Sequence, residues 1–302
     1  MKRVVLVPVL LALGCAGAPR RVETNTVPAL PERDRAYFEG VKRTGKLPDD
    51  VPVTVLVAEL EPWLGSPDHA LRDGLAATLI ARWVRGGLLP DDVMRAALDR
   101  WTRNLGEGIG ERETDSVLQR SFSILVLDAL AARDLERPFM SEAELHALAE
   151  ASLSYLEREQ DLRGWDAERG WIHATAHTAD LLRRLARNPG LCEADQDAIV
   201  AGIESKLGSV TQVFTHGENR RLAQVLVALL GRADCRVEPI EAWIGRWRAR
   251  GETLWNSAFD PELYARVENE TQLFRELLAA LWTVGADNAC AARVREVMLT
   301  AR

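Results

Sequence analysis

The chain has 302 residues, of which 47% are hydrophobic, 27% charged and 6% aromatic, with a formal net charge of −7. An acidic chain without a Lys/Arg run or a basic stripe is poorly suited to nucleic acid, whose phosphates must be neutralised by clustered cations. The length admits one large domain or two small ones, and a helical-repeat fold can fill it without a break.

Residues 1–14 are not part of the fold. "MKRVVLVPVLLALG" has a basic start at Lys2 and Arg3 and then an apolar run too short to span a bilayer, the pattern of a secretory signal. Its end, Ala12-Leu13-Gly14-Cys15, resembles a bacterial lipoprotein cleavage site, with Cys15 as the lipidated residue. Ala12 departs from that pattern, which favours Leu three places before the cysteine, and an ordinary cleaved signal of a soluble periplasmic or secreted protein is the alternative. Ala16, where an Asp would suggest inner-membrane retention, points to the outer membrane on its periplasmic side. Palmitate at Cys15 would then be the membrane attachment. Residues 15–33, with three prolines and few large apolar residues, read as a flexible tether, leaving 34–302 as a single domain.

Beyond the tether, apolar residues recur at three-to-four spacing with almost no alternation. The spacing predicts about twelve helices: 33–44, 52–63, 68–85, 91–104, 113–133, 141–159, 169–187, 193–207, 218–231, 237–250, 260–284 and 287–300. Ser141 and Glu144 form a capping box, Leu89-Pro90-Asp91 opens the fourth helix, and Asn188-Pro189-Gly190 stops the seventh. "VLQRSFSILVLDALAARD" and "LAQVLVALLGR" are apolar enough for inner helices. Short loops between antiparallel helices imply an all-α fold of stacked helical hairpins, an irregular α/α superhelix because no strict sequence period exists.

In such an array the connections from even to odd helices share one edge. "LRDG" (71–74), "ETDSVLQRSFS" (113–123), "GWIHATAHTADLL" (170–182) and "FTHGENRR" (214–221) all fall there. A helix starting at 169 puts His173, His177 and Asp180 on one face, where two imidazoles four apart can share zinc or another divalent metal. His216 or Glu218 would complete the set. The residues between the histidines are Ala174, Thr175 and Ala176, so the general-base Glu of H-E-x-x-H is missing and that type of zinc protease is excluded. The competing reading is a structural network in which the histidines bond to neighbouring groups. Upstream, "EREQDLRGWDAERGW" packs carboxylates between Trp165 and Trp171, either an acid–base pair with an aromatic platform or a solvated turn. Ser121 and Ser123 lack a G-x-S-x-G elbow, and there is no phosphate loop or dinucleotide fingerprint. Asn269-Glu270-Thr271 matches a glycosylation sequon, which carries little weight in a bacterial-looking chain.

Cys192, Cys235 and Cys290 fall near connections on the opposite edge. In an oxidising compartment a Cys192–Cys235 disulfide is topologically reasonable, leaving Cys290 over; without C-x-x-C, a cysteine-rich zinc site is excluded.

"LRDG", "DSVLQRSFSILVL", "YLEREQDLRGW", "GWIHATAHTADLL" and "GENRRLAQVL", in this order, resemble a bacterial family known as domain of unknown function 2785. The likeness runs from about Leu47 into the tenth helix. It implies an all-helical fold and no particular reaction. Its motif residues correspond to Arg72, Asp73, Asp115, Arg120, Asp161, Arg163, Gly164, Trp171, His173, His177, Asp180, Glu218 and Arg220. Where the family leans to an acidic pair, this chain has Asn219 and Arg220.

Two functions remain open from sequence. One is a binding or scaffold module that grips a peptide or protein partner, as helical repeats commonly do. The other is a metal-dependent or acid–base hydrolase, with His173, His177 and His216 as ligands or proton carriers, Asp180 and Glu218 orienting them, and Arg120 and Arg163 holding an anionic substrate.

Overall fold

The computed structural model describes residues 33–283 and 288–300; the expected signal segment, Cys15 and nearly all of the tether lie outside these. Asp34 accepts the Tyr37 amide and opens α1 (Arg35–Thr44), which Gly45 closes in the left-handed conformation. α2 (Val53–Leu60) runs into a 3-10 turn, Glu61–Gly65. α3 begins as His69–Leu71, widens into a π-helical turn over Arg72–Ala77, and continues as Thr78–Arg85. Then come α4 (Asp91–Asn104), α5 (Ser116–Glu136) and α6 (Glu142–Arg158). The expected capping box is present at α6: the Ser141 hydroxyl accepts the Glu144 amide, and the Glu144 carboxylate accepts the Ser141 amide at 2.7 Å. After a short hairpin follow α7 (Ala174–Ala186), α8 (Glu193–Ser209), α9 (Glu218–Leu230), α10 (Glu238–Asn256), α11 (Pro261–Leu281) and α12 (Ala289–Thr300).

The helices form two rows. α3, α5, α7, α9 and α11 pack in succession, while α6, α8 and α10 pack in succession beside them. The odd-numbered row carries the core. α5 buries Val117, Leu118, Phe122, Ile124, Val126, Leu127 and Leu130, and α9 buries Leu222, Val225, Leu226, Leu229 and Leu230. These are the two helices whose apolar sequences predicted an inner position. The fold is all-α, as the periodicity predicts. No helix among the described residues is long and apolar enough to cross a membrane.

Two expectations fail. The seventh helix does not begin at 169: Trp165–Asp166 and Gly170–Trp171 pair as antiparallel strands, and α7 starts only at Ala174. The reason is local turn chemistry. The Asp166 carboxylate accepts the amides of Glu168 and Arg169, and Gly170 takes a φ of +70° that a helix cannot accommodate. Nor do Cys192 and Cys235 pair. Cys235 is bonded to Cys290, and among the described residues Cys192 is the free thiol, capping α8 with its Sγ against Asp195. Cys235, in the α9–α10 connection, meets Cys290 at the start of α12, while its neighbours Asp234 and Arg236 bond to Gln196 and Asp197 of α8, so the bond ties the last helix to the array.

That bond closes a loop 55 residues apart in sequence. A cross-link of this span stabilises by about 2–4 kcal/mol, chiefly by restricting the unfolded chain. Urea unfolding of a Cys235→Ser/Cys290→Ser variant should give a midpoint lowered by a corresponding amount. An unchanged midpoint would mean that α12 contributes its docking without the bond.

Candidate functional site

The segment from Glu159 to His173 organises the even-to-odd edge. It leaves α6 extended and folds back on itself, with the Ile172 amide donating to the Gly164 carbonyl (2.9 Å) and the His173 amide to the Arg163 carbonyl (3.2 Å). Gly164 is required here because a Cβ would collide with the His216 ring. His173, the residue before α7, sits at φ +52°, a left-handed conformation uncommon for a side chain of this size.

Two inner helices, α3 and α5, fasten the hairpin through its backbone, and two side-chain contacts add to them. Arg72, fully buried in the π turn of α3, donates to the carbonyls of Ser66 (2.5 Å), Arg169 and Trp171 (3.1 Å), and its guanidinium lies 4.7 Å from the centre of the Phe122 ring. Ser121 of α5 donates to the Ile172 carbonyl (2.5 Å). His173 Nε2 bonds to the His216 carbonyl (3.0 Å) just before α9, and Arg169 pairs with Asp115 at the start of α5. The clustering that the up-and-down topology predicts is therefore realised, although through a hairpin and not along a helix face.

These bonds fix the proton positions. The Ser121 hydroxyl has one proton, directed to the Ile172 carbonyl, so His177 Nδ1, 2.9 Å from Ser121 Oγ, must be the donor. His177 is thus neutral with its lone pair on Nε2. Burial, aided by His173 and Arg221, lowers its pKa to about 3. His173 Nε2 faces a carbonyl, which only accepts, so the proton stands there. Burial likewise depresses the His173 pKa, against the pull of the Glu218 carboxylate 3.8 Å away. A serine whose proton points away from the imidazole is not activated by it, and a base titrating near 3 is poorly matched to neutral acid–base work.

The other candidates are equally engaged. Asp180 does not orient the histidines. Its carboxylate meets Arg221 at 2.6 Å and Arg183 at 3.7 Å, and burial raises its pKa against their pull. Arg120 grips the Glu159 carboxylate through Nε (2.6 Å) and Nη2 (3.2 Å) while Nη1 donates to the Glu107 and Gly108 carbonyls; burial alone would lower its pKa, but the Glu159 bonds outweigh it. Arg163 closes on Asp161 (2.6 Å), whose bonds raise its pKa, and lines a cavity separate from the histidines. Glu218 accepts the His216 amide (2.8 Å), and the His216 ring faces the Thr215 hydroxyl (3.1 Å). Among the described residues no three His, Cys, Asp or Glu side chains are placed to hold a metal ion, the three histidines included.

The hairpin presents two aromatic side chains outward, beside the exposed Glu168. Trp165 is 51% exposed and Trp171 39% exposed. Their rings meet edge to face at 5.0 Å, and Trp171 stacks on His173 at 4.3 Å with an interplanar angle of 19°. Three residues central to this assembly were not singled out for such roles from the sequence. The sequence marks Arg72 only as one of the motif residues of the resemblance, Ser121 only as a serine without a nucleophile elbow, and Glu159 only as one charge among many.

The neutral histidine has a pH consequence. An imidazole with a pKa of about 6.5 when unfolded and about 3 when folded favours the folded state fully above 6.5 and loses that contribution as pH falls from 6.5 towards 3. Between pH 7 and 5 the loss from His177 is on the order of 2 kcal/mol. His177→Asn keeps a donor towards Ser121 and removes the titration, so its urea-unfolding free energy should change less between those pH values. Equal slopes in variant and parent would place the acid sensitivity elsewhere.

The family model described as "Protein of unknown function (DUF2785)" matches residues 105–279, more than half of the chain, starting after "LRDG" and ending within α11. No curated protein and no solved structure matches. With the match spanning α5 to α11 and the whole hairpin, the chain belongs to this family of proteins of unknown function.

Proposed function

We propose that this protein is a binding module of the bacterial envelope, lipid-anchored through Cys15, that recognises a peptide or protein partner with the Trp165–Trp171 hairpin. The observation that carries this reading is the pairing of exposure with rigidity. Two indoles stand in solvent on a loop whose backbone is held by Arg72, Ser121 and His173. Tryptophan offers large contact area at low entropic cost, and a preorganised loop avoids the cost of ordering on binding. The engagement of Arg120, Arg163, Asp180, His173 and His177 with partners inside the protein favours this reading over an acid–base hydrolase. The Cys235–Cys290 disulfide supports an oxidising compartment, as export requires.

Photo-crosslinking in intact cells tests the binding surface. A benzophenone side chain at position 165 should yield a discrete protein adduct that disappears when Trp171→Ala is added. The same group at Trp255, exposed elsewhere, is the control. Adducts equal at 165 and 255, or none at 165, would sink the assignment. The anchor is tested separately: Cys15→Ser should move the protein from the membrane fraction to the soluble fraction, and continued sedimentation with membranes would refute lipidation at that residue.

A further inference from the structure

A cavity of about 310 Å³ opens where the start of the 159–173 segment passes the end of α8 and the residues before α5. Its wall includes Lys206, Arg112, Arg163, Gln160, Glu113 and Glu157. Three of its charges are neutralised within the protein: Asp161 by Arg163, Arg163 by Asp161, and Glu159 by Arg120 behind it. Two cations are not. Lys206 is only 3% exposed, and its ammonium donates one hydrogen bond, to the Glu159 carbonyl at 2.6 Å. Its other two N–H bonds meet no acceptor among the described residues, and no carboxylate there lies within ion-pair distance. Arg112 donates through Nε and Nη2 only to the neutral Gln160 side-chain oxygen, at 2.9 and 2.5 Å.

A buried ammonium without a counter-ion is costly. Burial accordingly lowers the Lys206 pKa to about 8, against the pull of Glu159 and with a further push from the Arg112 charge. The two unmatched cations therefore feel each other across the cavity. The exposed part of the lining carries both signs, Arg112 beside the carboxylates of Glu113 and Glu157. Glu113 and Glu157 are exposed, and Glu113 is held at φ +57° with its amide on Asp161 at 3.0 Å. Backbone strain of this kind is often retained at ligand sites. A dianion such as phosphate would be repelled by those two carboxylates, whereas a carboxylate whose other end is cationic finds cations and carboxylates in one cavity.

We infer that this cavity is a carboxylate-binding site for a small amino acid or a peptide C-terminus, with Lys206 and Arg112 holding the carboxylate and Glu113 and Glu157 facing the ammonium. The site is independent of the hairpin reading, since neither tryptophan lines it. The charged groups lining the cavity with Lys206 are Glu157 at the end of α6, Glu159, Asp161 and Arg163 from the segment after it, and Arg112 and Glu113 from before α5, of which Glu159 and Arg112 act on the ammonium. As Lys206 loses its proton above pH 8, affinity for the carboxylate should fall.

Calorimetric titration of the purified full chain at fixed ionic strength tests this with four probes: alanine, alanyl-alanine, alanyl-alanine amide and inorganic phosphate. Binding of either carboxylate, with alanine against alanyl-alanine deciding between amino acid and peptide terminus, and none of the amide, is the expected result. Affinity for alanine, whose own ammonium keeps its proton over most of this range, should drop between pH 7.5 and 9. Arg112→Gln, a change at an exposed position, should weaken binding about tenfold, the scale of one charge-assisted contact. Lys206→Met should abolish it; if that variant does not fold, Arg112→Gln and the pH profile decide. Equal binding of the amide, tighter binding of phosphate, or no binding of either carboxylate overturns the inference. Trp171→Ala should leave alanyl-alanine binding unchanged while removing the crosslinked adduct, so the two sites fail or stand separately.

Discussion

A guanidinium buried without a carboxylate is the constraint around which the even-to-odd edge is built. Arg72 has no ion-pair partner among the described residues, and burial depresses its pKa. Its charge is offset by three carbonyl oxygens and the face of Phe122. Two of those carbonyls belong to the hairpin, at Arg169 and Trp171, which has few ladder bonds of its own because each strand is two residues long. Helix and hairpin thus satisfy each other. The π turn over Arg72–Ala77 matters here, because the wider turn changes the direction of side chains relative to a regular α-helix.

The same logic extends along the segment after α6. Glu159 and Asp161 are almost completely buried, and each is matched by an arginine, Arg120 and Arg163. Buried ion pairs contribute little net stability but are costly to break, so they specify a conformation more than they strengthen it. The polar residues of this edge therefore hold a loop in place and leave Trp165 and Trp171 at the surface. Such a division of labour suits recognition, where fixed geometry and apolar contact count, better than proton transfer, which needs a group free to change its charge near neutrality.

How much of this was legible in the sequence differs from element to element. The helices were, since three-to-four spacing over ten or more residues has one structural meaning, and α5 and α9 are as apolar as inner helices must be. The gathering of Arg72, Ser121, His173 and Glu218 followed from up-and-down topology. The hairpin did not, because "GWIHATAHTADLL" continues the helical spacing backwards past Ala174, while Asp166 and the two flanking glycines give a weaker, local turn signal that nevertheless wins. The Cys235–Cys290 pairing depends on how one row of helices lies beside the next, which loop position alone does not specify. Lys206 was invisible for another reason: one lysine on α8 looks like any surface lysine until the chain end of α6 is folded over it.

Asn219 shows how far the support for the hairpin reaches. The resemblance led to an acidic residue at this position. An asparagine here donates to the side-chain oxygens of Asn269 (3.1 Å) and Gln272 (2.9 Å) on α11, which a carboxylate could not do. Asn269, fully buried and so closed to glycosylation, accepts the Phe214 amide and donates to the Gln212 carbonyl, both at about 2.8–2.9 Å. It thereby fixes the strand of chain that ends at His216, whose carbonyl receives the His173 proton. A path of hydrogen bonds runs from α11 through Asn269, residues 212–216 and His173 to the stacked face of Trp171. The exposed indoles are positioned by the helical array as a whole, and the histidines contribute to that positioning as hydrogen-bond donors, His173 to the His216 carbonyl and His177 to Ser121.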